Sequence, residues 1–292
     1  NITDTNVQGY DYSTATKTDT LYSAITLMAN ADDYDVNMML VPGVLANKHS
    51  ALTQHILTSC ENRGDCFAIL DPVSHGSNVT SAATEGDNFD SSYGAFYYPW
   101  CLTNDNSTNQ LIWVPASCLM AGVYAFNDSV ADPWIAPAGI NRGVIGTAVK
   151  AERFLSQTSR DSLYQGKVNP IATFQSSGVT VFGQKTLQVQ PTALDRINVR
   201  RLLIELKSFI SQVADTLVFE PNNVTTRNTF LSQVNPYLQT VQERQGLTSF
   251  NVIMDETNNT STVIDNNELV GAIYIQPTRT AEFIILDFNI LP

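Results

Sequence analysis

Val36-Asn37-Met38-Met39-Leu40-Val41 and Cys66-Phe67-Ala68-Ile69-Leu70 are the two apolar runs that decide the fold class of this chain. The first is closed by Pro42-Gly43 and the second by Asp71-Pro72, as expected for buried parallel strands. Between them, residues 47–61 carry apolar side chains at helical spacing, and Arg63-Gly64 ends the helix. A strand, a helix and a strand within about 35 residues predict a βαβ unit with a right-handed crossover.

The rest of the first half extends this unit into an α/β layer. Residues 95–98 and 111–114 have the composition of strands, and residues 117–126 that of a compact helix, whereas residues 74–90 form a polar insertion. Upstream, residues 21–28 could form a short helix. Residues 1–20 are rich in Thr and Asp and predict a polar arm or loop. We therefore predict a mixed-sheet α/β domain over residues 21–145.

A rigid segment, Pro133-Trp134-Ile135-Ala136-Pro137-Ala138-Gly139-Ile140-Asn141-Arg142-Gly143, follows this domain. Its two prolines fix φ and remove backbone donors, which excludes a central strand or a helix interior. Its tryptophan offers a large apolar surface, its glycines permit unusual backbone shapes, and its arginine offers a fork of donors. We predict a joint between two domains formed by Pro133, Trp134, Pro137, Gly139, Arg142 and Gly143.

The second half has the pattern of a different module. Residues 148–164 mix short helical and irregular patterns, residues 178–182 predict a brief strand, and Asp195 is a candidate N-cap for a long amphipathic helix ending near Val218. A second helix is expected from Thr225 or Thr226 to Gly246, kinked or split by Pro236. Three strands follow, at residues 250–254, 269–276 and 282–290. These elements predict an α+β module over residues 146–292, with helices on one face of an antiparallel sheet.

Composition excludes several functional classes. Apolar residues make up 43% of the 292 residues, and the net charge is −12, from 28 acidic and 16 basic groups. The acidic balance argues against a nucleic-acid partner or an anionic membrane surface, because phosphates attract a cationic face. No apolar run approaches the roughly 20 residues that span a bilayer, so direct membrane insertion is not expected.

The cysteines and the glycosylation sequons do not by themselves decide the cellular compartment. Cys60 and Cys66 flank a predicted turn and could form a disulfide, although free buried thiols in a reducing cytosol fit the lack of paired spacing better. Seven Asn-x-Ser/Thr sequons occur, at Asn1, Asn78, Asn106, Asn127, Asn223, Asn258 and Asn259. In a chain rich in Asn and Thr they are expected by chance, but they keep open a secreted or surface adhesin-like binding protein. The chain begins at Asn1, which suggests a fragment or a processed product.

The sequence contains no converging catalytic constellation. His49, His55 and His75 lie in one short stretch, without a nucleophile-elbow motif beside them. Paired zinc-ligand spacing and a phosphate-binding Gly-rich loop with its Lys are both missing, and Asp32, Asp33 and Asp35 lack the frame of a calcium loop. We predict no enzyme activity and no cofactor, with a cryptic or inactive hydrolase as the remaining catalytic alternative.

Ordered blocks of the sequence resemble contractile tail sheath proteins of phages and related injection machines. The blocks are the 133–143 segment, Ser92 to Trp100, Val114 to Ser117 with Ala121 to Tyr124, Gly178 to Leu187, Ile197 to Leu203, Phe219 to Asn223, and Ala281 to Ile284. No single block is specific, but the ordered set covers roughly residues 34 to 290. The resemblance implies a subtilisin-like middle domain followed by a C-terminal sheath domain, both part of a larger subunit that also carries terminal arms.

The resemblance also implies a mechanical function. Such subunits form hexameric rings that stack into a helical sheath around the tail tube, contact baseplate and tail terminator proteins, and contract to drive the tube through the host envelope. The protein is then a virion component assembled in the host cytoplasm, and no cofactor is needed.

Two sets of residues are candidates for contacts between subunits. The last strand has strong β-propensity and is the last of its sheet in sequence, so its edge could accept a strand from another chain. Its candidate pairing residues are Glu282, Phe283, Ile284, Ile285, Leu286 and Phe288. Arg200 and Arg201 lie on the long amphipathic helix and could form salt bridges, either within the subunit or across to a neighbour.

Overall fold

The computed structural model describes residues 15–31 and 33–282 of the chain. The chain divides into two compact units, residues 1–209 and residues 210–292. The first unit has an α/β fold and the second combines helices with a small antiparallel sheet, which confirms the predicted fold class.

In the first unit helices and strands are interspersed along the chain. The elements are α1 (Ala15–Met28), β1 (Met38–Leu45), α2 (Ser50–Arg63), β2 (Phe67–Asp71), α3 (Val79–Asp87), β3 (Gly94–Tyr98), β4 (Cys101–Asp105), β5 (Gln110–Val114), α4 (Ala116–Val130), β6 (Ala148–Ala151), α5 (Gln157–Gln165), β7 (Val168–Phe174), β8 (Gly178–Val181) and the start of α6 (Ile197–Asp215). The predicted βαβ unit is β1–α2–β2, whose two strands pair in parallel.

The main sheet of the first unit has the order β1-β2-β3-β7-β8. Its first four strands are parallel and β8 is antiparallel to β7, so the sheet is mixed. Successive residues of a strand point to opposite faces, and accordingly Ala68 and Leu70 join one hydrophobic cluster while Phe67 and Ile69 join the other. Helix α2 covers the first face, and α4 covers the second together with Ile204 of α6. A sheet buried on both faces explains why β2 and β3 are largely apolar runs without alternation.

A smaller antiparallel sheet, in the order β5-β4-β6, lies beside this core. Strand β4 was not predicted, and neither was β7, which pairs with β3 and carries Pro170. Residues 74–90 were predicted as a polar insertion, but they contain α3. Helix α1 also begins at Ala15, inside the segment that was expected to be an arm or loop.

The second unit begins inside α6 and continues with α7 (Val224–Glu243), β9 (Leu247–Ile253), α8 (Ser261–Asp265) and β10 (Ala272–Pro277). Strands β9 and β10 are antiparallel, with Ala272 opposite Ile253. Asn223 caps α7, because its Oδ1 accepts the backbone N–H of Thr226 at 2.9 Å. Pro236 lies inside α7 without splitting it into two helices.

The predicted boundary between residues 145 and 146 differs from the division in the structure, which lies after Phe209. The physical reason is the sheet. Strand β7 follows the predicted boundary, yet it pairs with β3 in the middle of the first unit's sheet, and β8 completes that sheet.

All four cysteines are free in the structure. Cys60, Cys66 and Cys101 are buried, and Cys118 is exposed. Burial raises the pKa of the Cys101 thiol to about 12, so this thiol is held in its unreactive protonated form.

Candidate interaction sites

The β9–β10 ribbon of the second unit is the first candidate site for contact with another chain. In the described residues both of its strands are edge strands, so each has one side whose N–H and C=O groups could accept a further strand. Tyr274 of β10 is 61% exposed, and β9 lies against α7. Such a ribbon has the geometry that strand addition uses.

A network of asparagines fixes the connection between β9 and β10. Asn259, only 2% exposed, accepts the N–H of Val270 at 2.9 Å and donates to its carbonyl at 2.8 Å. Asn222, just before α7, donates to the carbonyl of Glu268 at 2.8 Å and accepts from Arg227 Nε at 2.9 Å. The connection before β10 is therefore tied to the start of α7. The sequence predicted only the two strands on either side of this connection, because an Asn that satisfies backbone groups has no distinctive spacing.

The predicted pairing strand falls almost wholly outside the described residues. Glu282 is described and lies beyond β10, not in a strand. Phe283, Ile284, Ile285, Leu286 and Phe288 lie outside the described part of the chain, so their pairing stays a prediction.

Arg200 and Arg201 both make contacts within the chain. Arg201 forms a two-pronged ion pair with Asp128, with Nη1–Oδ1 at 2.9 Å and Nη2–Oδ2 at 2.5 Å, and its guanidinium lies 4.8 Å from the ring centre of Tyr124. The guanidinium of Arg200 lies 4.0 Å from the ring centre of Tyr93 and donates to the hydroxyl of Ser92. Both arginines are buried. Arg201 thus has a partner within the chain, and pairing of either arginine with a neighbouring subunit stays a prediction.

The segment predicted as a domain joint packs along β8, inside the first unit. Gly139 donates its N–H to the carbonyl of Val181 at 2.9 Å, and Val181 donates to the carbonyl of Gly143 at 2.8 Å. A Cβ on Gly143 would lie 2.8 Å from the Val181 oxygen, so only glycine permits this approach. Trp134 is buried, and its carbonyl accepts from Asn198 at 3.4 Å.

The remaining three joint residues are Arg142, Pro133 and Pro137. Arg142 Nε lies 3.5 Å from the carbonyl oxygen of Ala136, Pro133 precedes this turn and Pro137 lies within it. The whole segment, residues 133–143, therefore lies before the division after Phe209.

A buried carboxylate at the end of β2 is a feature that sequence reasoning missed. Asp71 accepts hydrogen bonds from the backbone N–H and the hydroxyl of Ser117, in the first turn of α4. Burial raises the pKa of Asp71 to about 6, although these hydrogen bonds act in the opposite direction. The sequence contained one hint, an acidic residue ending an apolar strand.

The histidines contact groups other than this serine. His49 Nδ1 accepts the N–H of Leu45 at 3.2 Å, the ring of His55 stacks on Tyr22 at 4.5 Å, and His75 lies 5.0 Å from Trp113. The Ser117 hydroxyl and backbone N–H both donate to the Asp71 carboxylate, which thereby caps the start of α4.

Two kinds of feature are absent from residues 15–31 and 33–282. These residues contain no cluster of three or more His, Cys, Asp or Glu side chains that could hold a metal ion. None of the helices they form combines the length and the apolar character needed to cross a membrane.

Comparison with protein families gives two matches that divide the chain between them. Residues 10–187 match the phage tail sheath protein central domain, and residues 189–290 match the phage tail sheath C-terminal domain. The two matches meet near residue 188, earlier than the division after Phe209.

Individual relatives agree with the family matches. The tail sheath protein of Enterobacteria phage T4 is 33% identical over 290 residues, covering 92% of this chain and 44% of that protein. The tail sheath protein of Vibrio phage KVP40 is 41% identical over 195 residues, covering 67% of this chain and 28% of that protein. The chain thus spans less than half the length of these relatives. The sheath complex of an extracellular contractile injection system, PVC, in its contracted state is 25% identical, with a TM-score of 0.76 over 91% of this chain and 74% of that one.

Proposed function

The chain belongs to the phage tail sheath family, and on that premise we propose that it is the main body of a contractile sheath subunit. In this proposal, copies polymerise as stacked hexameric rings around a tail tube and contract to drive the tube through the host envelope. The main support for this proposal is that matches to the central and C-terminal sheath domains follow one another over residues 10–290. The fold is also shared with a contracted sheath complex.

The architecture of the first unit supports a mechanical function. Its main sheet is buried on both faces by helices, and ion pairs such as Arg201–Asp128 join α6 to α4. Because close-packed interiors resist deformation, such a unit moves as a rigid body while its contacts with neighbours change. Its work is then done by exchanging one set of subunit contacts for another.

The free energy required for such an exchange is modest. Moving a two-state equilibrium from 1:99 to 99:1 takes about 5.5 kcal/mol. At about 25 cal/mol per Å² this corresponds to some hundreds of Å² of additional apolar burial. Contacts between subunits can supply that area, so neither ATP hydrolysis nor a cofactor is required, and we propose that the protein is not an enzyme.

Strand addition at the β9–β10 ribbon would join the copies. Glu282, Phe283, Ile284, Ile285, Leu286 and Phe288 are the proposed pairing residues. A contact between unlike surfaces of identical subunits is heterologous, and when it does not close into a ring it generates a helix. The open edges of the ribbon and its anchoring by Asn222 and Asn259 support this interpretation.

The remaining partners follow from the same proposal. A sheath subunit meets the tail tube protein along the tail, the baseplate at one end and the tail terminator at the other. The protein would assemble in the host cytoplasm and function in the virion.

Electron microscopy of the complete protein that carries this chain tests the proposal. We expect negatively stained tubes or stacked rings. Ile284→Pro should abolish them, because proline removes a donor from the pairing strand, whereas Ile284→Val should leave them intact. Complete protein that stays monomeric over a wide concentration range would contradict the proposed function.

A further inference from the structure

Phe219 is an apolar side chain displayed on the surface of the second unit. It lies between α6 and α7 and is fully exposed, at 101% of its reference area. Its backbone has φ 71°, the left-handed region that bulky residues rarely occupy. Val218 beside it is also exposed. Exposing an aromatic ring to water and holding a bulky residue at positive φ are both energetically unfavourable. Features of this kind are found where they serve recognition.

The turn that presents Phe219 is held by several backbone hydrogen bonds. Leu217 donates to Ala214 at 2.9 Å, Glu220 donates to Leu217 at 3.1 Å, and Asn223 donates to Pro221 at 2.8 Å. The backbone that carries the ring is therefore held in place. An aromatic side chain on a preorganised backbone loses less conformational entropy on binding, and aromatic anchors are enriched at interface hot spots.

A matching surface lies on the small β5-β4-β6 sheet of the first unit. Trp113 is opposite Leu102, and Leu102 is opposite Lys150, so Trp113 and Lys150 share a face. Leu111, two residues before Trp113, lies on the same face and is 57% exposed. Lys150 Nζ is 5.6 Å from the ring centre of Trp113. Leu111, Trp113 and Lys150 thus form an apolar platform with a cationic edge.

Charge favours a second copy of this chain as the partner of the Phe219 turn. The residue after Phe219 is Glu220, an exposed carboxylate, and the platform carries the exposed Lys150. The chain has net charge −12, and Lys150 gives this platform a charge opposite to that of Glu220.

We propose that Phe219 of one copy packs against Leu111 and Trp113 of a neighbouring copy, with Glu220 paired to Lys150. This inference rests on the proposed function, because it takes the neighbour to be another sheath subunit. The two surfaces are different, so the contact is heterologous and can propagate along a helix.

The first test measures assembly of the complete protein by light scattering and microscopy. Phe219→Ala should raise the concentration needed for assembly about tenfold or more, as expected for loss of a hot spot. Phe154→Ala, which removes a Phe that is 80% exposed elsewhere on the first unit, is the matched control and should have little effect. Glu220→Lys and Lys150→Glu should each impair assembly, and the double variant should restore it.

The second test is cross-linking, carried out at protein concentrations high enough for variants with a weakened contact to assemble. In a Cys118→Ser background, which removes the exposed native thiol, one protein carries Phe219→Cys and another carries Leu111→Cys. A short bismaleimide should join the two only when they are mixed and assembled.

The outcomes separate this inference from the proposed function. Wild-type tubes, together with normal assembly of Phe219→Ala and no cross-link, would overturn the Phe219 contact and leave the sheath function standing. A cross-link from Phe219→Cys to the tail tube protein instead of a second copy would also overturn it. Failure of the wild type to assemble would count against the proposed function itself.

Discussion

The Asp71 carboxylate and Ser117 join the end of β2 to the start of α4 through two hydrogen bonds, one from the Ser117 backbone N–H at 3.0 Å and one from its hydroxyl at 2.5 Å. These residues are far apart in sequence, and both are buried. The carboxylate satisfies a donor at the helix N-terminus, where its negative charge also meets the positive end of the helix dipole. Burial nevertheless raises its pKa to about 6.

Asp71→Asn should therefore alter the pH dependence of stability. The folded-state pKa lies above the unfolded value, so ionisation opposes folding, and the contribution of Asp71 falls as pH rises through about 6. Between about pH 4.5 and pH 8, the variant should gain about 2 kcal/mol in unfolding free energy relative to wild type. Urea unfolding at several pH values measures this difference, and a difference independent of pH would contradict the assignment.

Asp105→Asn is the control with the opposite sign. Hydrogen bonds from Thr108 and Ser107 lower the pKa of Asp105 to about 2, so its contribution is present above the unfolded pKa and is lost as pH falls through the folded one. The effect of this substitution should be nearly constant from about pH 4.5 to pH 8, because Asp105 is ionised throughout that range.

The Arg201–Asp128 pair should show strong coupling in a double-mutant cycle. The Arg201 side chain is 7% exposed and that of Asp128 is 27% exposed, so water screens the pair only in part. We expect a coupling free energy of about 2 kcal/mol, measured by denaturant unfolding of Arg201→Ala, Asp128→Ala and the double variant. The Arg153–Glu152 pair, at 4.0 Å with Arg153 42% exposed, should give less than about 0.5 kcal/mol. Equal coupling in the two pairs would contradict this prediction.

Arg63→Ala should be among the more destabilising substitutions. The Arg63 side chain is fully buried, donates to the carbonyls of Met28 at 2.7 Å and Tyr34 at 2.8 Å, and pairs with Asp65. Its removal leaves these acceptors without their donor, and we expect a loss of about 3 kcal/mol in unfolding free energy.

Arg63→Lys tests the reason for that loss. It keeps the charge but lacks the planar fork, so it should recover only part of the stability. A variant Arg63→Ala with wild-type unfolding free energy would show that the carbonyls of Met28 and Tyr34 find other donors at no cost.

Substitution by alanine should destabilise the protein at one glycine and stabilise it at another. A Cβ on Gly86 of α3 would lie 1.9 Å from the carbonyl oxygen of Gly166, so Gly86→Ala should cost about 2 kcal/mol or more. A Cβ on Gly122 of α4 would meet nothing within 4 Å, so Gly122→Ala should add up to about 1 kcal/mol through helix propensity. Thermal unfolding of both variants checks the pair, and a shift in the same direction for both would contradict the expectation.

The parts of the fold that local patterns encode were predicted well. The β1–α2–β2 unit, α4 and the antiparallel pairing in the second unit all follow from runs of apolar residues and their breakers. Strand β7 was missed because Asn169 and Pro170 interrupt its apolar run. Its place in the sheet depends on pairing with β3, where Asn169 donates to the carbonyl of Phe96 at 3.1 Å.

The candidate sites were less accessible to sequence reasoning. Arg200 and Arg201 could be recognised as cations on a helix, but their partners Ser92 and Asp128 lie far away in the sequence. The exposure of Phe219 could not be predicted from the sequence either. A Phe followed by Glu and Pro gives no indication of whether its ring is buried, and only the path of the turn between two helices places it in solvent.

The sequence by itself determined the two-part fold class, the family resemblance and the acidic surface, because periodicity, ordered motifs and charge are properties of the chain that need no contacts. The tertiary structure decided where the units divide, which charges are paired within the chain and which aromatic ring is displayed. These properties depend on contacts between residues that are distant in sequence and come together only after folding. Local propensity carries no information about such contacts.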